Sequence, residues 1–154
     1  MSAKAQFLKK LQASQAKPES RGLADIAEFR QRMIQLQETM EIWLEQTGIR
    51  VESTVVSLVE LLLGATAFRI SGIRIHYQGR VVSFIPSFLY GQGVTGCVDI
   101  TLHVEEERTS LGRLFMRSRD ASDWTYMPSA SSGGHRLGFC ESVFFELLGS
   151  LLPQ

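Results

Sequence analysis

Hydrophobic and polar positions divide this chain into a helical front, an alternating middle and a helical end. Between Leu23 and Gln46, the residues Ile26, Phe29, Met33, Leu36, Met40 and Trp43 recur at spacings of 3, 4, 3, 4 and 3, the stripe of one helix face. Thr47-Gly48 follows as a natural left-handed stop, and Ile49 is placed to fold back on the last turn. Such a helix extends ~36 Å, longer than short strands cover. Its stripe is therefore expected either to be wholly core or to overhang the sheet and offer its Met40–Trp43 end to another chain.

From Thr66 to Glu105 the period changes to two, and the stretch reads as antiparallel strands. Ile73, Ile75 and Tyr77 alternate with Arg74 and His76, and Ser71-Gly72 interrupts that alternation, which predicts a bulge or tight bend. Gln78-Gly79 separates the run from Val81 to Ile85 as a hairpin turn would, and Pro86 predicts a strand end or an edge position. Cys97 to Val104 alternates most cleanly, with Val98, Ile100, Leu102 and Val104 on one side and Cys97, Asp99, Thr101 and His103 on the other.

The flanks are less regular. Val51, Ser53, Val55, Ser57 and Val59 alternate, whereas Leu58, Leu61 and Leu62 have helical spacing; a strand to about Val59 and a turn ending at Gly64 reconcile the two. Arg113 to Arg117 and Trp124 to Tyr126 read as a later strand pair, Pro128 closing the second, and Ser129 to Gly134 as a small-residue loop. Phe139 to Leu152 carries enough apolar residues for a helix packed on the sheet. The expectation is an α+β fold: a long N-terminal helix, an antiparallel meander of five or six strands and a C-terminal helix.

Charge adds one boundary. The four lysines all lie before residue 18, and with Arg21 against Glu19 they give the first 22 residues a charge of +4 in a chain whose net charge is zero. Residues 1–22 therefore read as a basic arm, flexible or short-helical through Phe7, Leu8 and Leu11 until Pro18, and residues 23–154 as a single α+β domain. A neutral whole gives no general attraction to nucleic acid or anionic lipid. The apolar runs are too short to span a membrane and no secretory signal is evident, so the expected compartment is the cytoplasm, with Cys97 and Cys140 as free thiols.

Three patterns invite chemistry. Gly91-Gln92-Gly93-Val94-Thr95-Gly96 matches the dinucleotide fingerprint by letter, yet that motif needs a helix after it, and a strand pattern follows. A turn with positive φ angles is the simpler reading, and an anion held by the loop amides the sharper one. Cys97, Asp99 and His103 share a strand face, but ~20 Å separates Cys97 from His103, so only His76 on a neighbouring strand could act as its base. The three histidines have no zinc spacing, and no cofactor or metal is expected. Arg74, His76, Gln78 and Arg80 share one parity; with Arg113, Arg117 and Arg119 they would form a positive face suited to carboxylate-rich proteins. No aromatic signature for stacked RNA bases accompanies them.

The function expected from these patterns is a non-catalytic protein-binding module of adaptor, chaperone or toxin-immunity type. It would bind another protein, or itself, through a helix or sheet surface that includes Met40, Trp43, Arg74, His76 and Arg80. The alternative is a small enzyme or an anion- or ligand-binding protein using the Gly91–Gly96 loop. A broad apolar or charged patch would favour the first, a deep closed pocket the second.

Overall fold

The computed structural model describes residues 3–7, 18–64, 66–91, 93–119, 124–129 and 137–152. Residues 3–7 are helical; Leu8 and Leu11 of the basic arm and the loop beyond Ser129 lie outside the described residues. Helix α1 spans Pro18–Trp43. Seven strands follow: β1 (Arg50–Glu60), β2 (Thr66–Tyr77), β3 (Arg80–Phe88), β4 (Gly96–Val104), β5 (Glu107–Met116), β6 (Thr125–Pro128) and β7 (Leu137–Gly138). Helix α2 spans Glu141–Leu148 and continues as a 3-10 turn at Gly149–Leu151. Every strand pairs antiparallel with its neighbour in sequence, so the sheet order is β1 to β7 without a crossover.

The α+β class and the meander agree with the sequence, and the differences are local. The seventh strand has two residues, too few for any period to register. Strand β5 begins at Glu107, six residues before the predicted Arg113, because Glu105-Glu106 form only the turn between β4 and β5. Pro18 is the first residue of α1 instead of a stop, a position where a missing N–H leaves no helical bond unmade. The helix ends at Trp43: the chain tightens through Glu45 N–H to Ile42 O (3.2 Å) and Thr47 N–H to Leu44 O (3.1 Å). It turns left-handed at Gln46 (φ 67°) and again at Gly48 (φ 75°).

No bulge interrupts β2. Its pairing with β1 runs unbroken from Arg50 opposite His76 to Glu60 opposite Thr66. What changes at Ser71-Gly72 is the buried side, from Ile73 and Ile75 to Ile70 and Phe68. There β2 also leaves β3, whose pairing with it stops at Ile73 opposite Phe84. The free two-stranded ribbon twists more strongly than a full sheet and turns its other face inward. Gly72 allows the departure: a Cβ there would lie 2.9 Å from Ile85 Cδ1 and 3.2 Å from the Phe84 carbonyl oxygen. Beyond that point β3 pairs only with β4, and Pro86 stands in this one-sided stretch, where its missing N–H is tolerated.

Both helices pack on one face. Ile26, Phe29, Met33, Leu36 and Met40 of α1, and Leu44 just beyond it, form a continuous core with Ile73, Ile75, Val82, Phe84, Val98, Ile100 and Leu114 of the sheet and with Phe144, Leu147 and Leu148 of α2. Each such side chain contributes about 1.5–3 kcal/mol on full burial. The stripe of α1 is thus covered along its whole length and does not overhang. The opposite face is open and carries a small cluster of Val94, Cys97 and Phe115.

Candidate functional site

The five residues singled out by sequence do not form one surface. Met40 is fully buried in the core. Trp43, at the end of the stripe, is half-buried; its ring centroid lies 5.1 Å from Phe144 and 6.1 Å from Phe139. Leu44, one residue on, completes the core stripe in its place.

Arg80 belongs to the helix-covered face. The two-residue turn Gln78-Gly79 pairs Tyr77 with Arg80, so parity switches across the hairpin and Arg80 follows Val82 and Phe84 inward. Its guanidinium donates to Leu152 O at 3.3 Å and to Ser150 O at 3.5 Å, securing the turn after α2. Arg74 and His76 lie on the open face as expected. His76 Nε2 is 3.0 Å from Glu52 Oε2, an ion-pair distance without hydrogen-bond alignment. Beside them Ser83 Oγ meets His103 Nε2 at 3.0 Å. Burial, then the charges of Arg108 and Arg74, push the His103 imidazole below its ordinary pKa and favour its neutral form. Arg113 Nε is 2.9 Å from Asp99 Oδ1. Acidic residues thus stand beside His76 and Arg113 of the predicted positive face.

The idea of a base for Cys97 closes on register. His76 stands opposite Val81, which stands opposite His103, whereas Cys97 is level with Phe88 at the other end of the strands. Both histidines are therefore ~20 Å from the thiol. Cys97 is buried and Cys140 exposed, both as free thiols. Among the described residues no three His, Cys, Asp or Glu side chains converge as metal ligands would.

The glycine loop leads into β4, as expected. Gly91 and Val94 exchange two backbone bonds of 3.3 Å, and Thr95 N–H donates to Met116 O at 2.9 Å. The amides of Gly91, Val94 and Thr95 are thus directed at carbonyls of the protein. Gly93 supplies a positive φ of 71°. At Gly96 a Cβ would meet Met116 Cγ at 2.7 Å and the Phe29 ring at 3.0 Å, so this glycine is there for close packing.

Two features have no counterpart in the sequence patterns. Tyr90 donates a 2.5 Å hydrogen bond to the buried carboxylate of Asp25, tying the start of α1 to the loop before β4 across 65 residues. A cleft of about 400 Å³ lies between α1 and the start of α2, lined by Trp43, Trp124 and Phe139 with Arg32, Thr39 and Glu141. The Arg32 guanidinium sits 5.6 Å from the Trp124 ring centroid.

A further group of exposed apolar residues lies at the outer margin of the sheet. Among the described residues strand β1 has a neighbour only in β2, and its eleven residues present an edge that none of them pairs. Val55 is 63% exposed and Val59 60%; at the tip of the hairpin Leu61 reaches 79% and Leu62 75%. Ile34, exposed on α1, borders a shallow depression with Val55 and Arg30. Sequence alternation detects β1 but not its place at the margin, which follows only from the order of all seven strands. Among the described residues no helix is long and apolar enough to cross a membrane. Compared with known proteins, the chain matches no family model, no curated protein and no solved structure.

Proposed function

We propose that this chain is a non-catalytic protein-binding module that engages its partner along β1 and the tip of the β1–β2 hairpin. The observation that carries this reading is the eleven-residue unpaired edge with Val55, Val59, Leu61 and Leu62 exposed along it. Such an edge offers a row of backbone donors and acceptors beside apolar side chains, the two ingredients of strand addition. Isolated exposed apolar residues are common on soluble proteins; a contiguous set on an open sheet margin is not.

A photo-crosslinking residue at Val59, compared with one at Thr101 on the open face, tests the reading. Irradiation in cells should yield a discrete protein adduct at Val59 and little at Thr101. Absence of an adduct at Val59, or equal labelling at both positions, would overturn it.

A ligand-binding reading has one observation in its favour, the aromatic cleft at Trp43, Trp124 and Phe139. Its volume falls in the range of small-molecule sites, but it is a cleft and not an enclosed cavity. Tryptophan fluorescence during titration with a small aromatic library would reveal an occupant.

A further inference from the structure

Resting on the reading of β1 as the binding edge, we infer that its occupant is a second copy of this chain. Two β1 strands would pair antiparallel about a two-fold axis at Val55, making one continuous sheet through both copies. The sequence of the strand is self-complementary in that register. Val55 meets Val55 of the second copy, Ser53 meets Ser57 and Val51 meets Val59, while Thr54 meets Val56 and Glu52 meets Leu58. On the face of Val55, valine faces valine and serine faces serine; Glu60, level with Arg50, is buried and accepts from Leu62 N–H of its own chain.

The neighbouring registers lose this match. Centring on Thr54 sets Ser53 against Val55 and Val51 against Ser57, and leaves Arg50 opposite Leu58. Centring on Val56 sets Ser53 against Val59 and Val55 against Ser57. Both keep the same side chains on the same faces, so alternation alone does not choose among the three; residue chemistry does.

Helix α1 supports the same axis. Gln37 Oε1 is 3.0 Å from Ser53 Oγ, and Ile34 and Arg30 border Val55, so α1 runs beside β1 in the opposite direction. A two-fold at Val55 brings this flank of the two helices towards each other on one side of the joined sheet. Ile34, 52% exposed in the single chain, then faces Ile34 of the second copy, and Arg30 is level with the second copy's Glu38. One axis thus matches apolar to apolar residues in two separate elements, and basic to acidic residues on the helix, as an isologous interface requires.

The test uses the full chain and reads both mass and register. Sedimentation of the wild type across micromolar concentrations should give a dimer. Val55→Lys sets two ammonium groups against each other on the axis and should raise the dimer dissociation constant at least tenfold, with the thermal melt of the single chain retained. In a Cys140→Ser background, Val55→Cys should form a disulfide-linked dimer on mild oxidation. Ser53→Cys alone should not, since its two copies lie roughly 13 Å apart along the strands, whereas a mixture of Ser53→Cys with Ser57→Cys should.

A wild type that sediments as a monomer overturns the inference, as does a dimer insensitive to Val55→Lys or one cross-linked through Ser53→Cys alone. A monomer that still gives a foreign adduct at Val59 retains the binding edge and loses the self-pairing. A monomer with no adduct loses both.

Discussion

At one margin of the sheet, β7 consists of Leu137 and Gly138, and the chain turns at once into Phe139, whose ring packs 6.1 Å from Trp43 and 6.2 Å from Phe144. At the other margin, β1 runs for eleven residues with no strand beyond it and with valines turned to solvent. The first margin is made safe by brevity and by an aromatic cluster behind it; the second has neither protection. β1 contains no proline and no lysine, and its exposed charges, Arg50 and Glu52, stand at one end of the strand. The contrast is one of cover: the β7 side is closed by aromatic packing, while among the described residues the β1 side is not.

Substitutions on the two sides should therefore differ in kind. The largest effect belongs to the aromatic cluster. Phe144→Ala removes a fully buried ring in contact with Trp43, Phe84 and Phe139, and should cost about 3–5 kcal/mol in chemical denaturation. A loss below 1 kcal/mol would mean that this margin is not held as described.

The Tyr90–Asp25 bond should come next. Tyr90→Phe leaves the Asp25 carboxylate buried without its hydroxyl donor, at a cost of about 1–3 kcal/mol. The same bond adds a dependence on pH. Burial first, then the hydrogen bond to Asp25 and the charges of Asp25 and Glu60, raise the Tyr90 pKa above its ordinary 10.0, against a weaker lowering by Arg119. The folded chain keeps a proton that the unfolded chain releases, so the contribution is intact below pH 10 and is lost as pH climbs above it. Melting temperatures recorded above pH 10 should fall more steeply for wild type than for Tyr90→Phe; parallel curves would refute the assignment.

The smallest effect on stability is expected at β1 itself. Val55→Lys should change the unfolding free energy of the single chain by no more than about 0.5 kcal/mol, because the side chain is mostly in solvent. A penalty near that of Phe144→Ala would erase the distinction between the margins.

How much of this was legible in the sequence depends on the distance between the residues concerned. The stripe of α1 and the alternation of β4 are local patterns with one physical reading, and both are present in the fold. Arg80 was misplaced by a rule that ignores the turn: parity carries along a strand, but a two-residue hairpin reverses it. Met40 and Trp43 would be the free end of an overhanging helix only over short strands; β1 and β2 have eleven and twelve residues, about as long as the helix, and α2 adds cover at its end. The Asp25–Tyr90 bond and the aromatic cleft join residues far apart in sequence, and nothing local marks them. The candidate site is hidden for a further reason: Val55 and Val59 carry the same alternation whether a strand is central or marginal.

Arg80 has one more consequence, for the order in which the chain assembles. Each strand of the meander pairs with the one just before it, so the sheet can grow as the polypeptide emerges, through contacts close in sequence. The guanidinium of Arg80 must wait for Leu152, 72 residues later. Until then the apolar face around Phe84 lacks α2, and a half-made chain presents both an uncovered core and an unpaired β1 edge. The interval before that last turn docks is when the nascent protein is most exposed to pairing with the wrong neighbour.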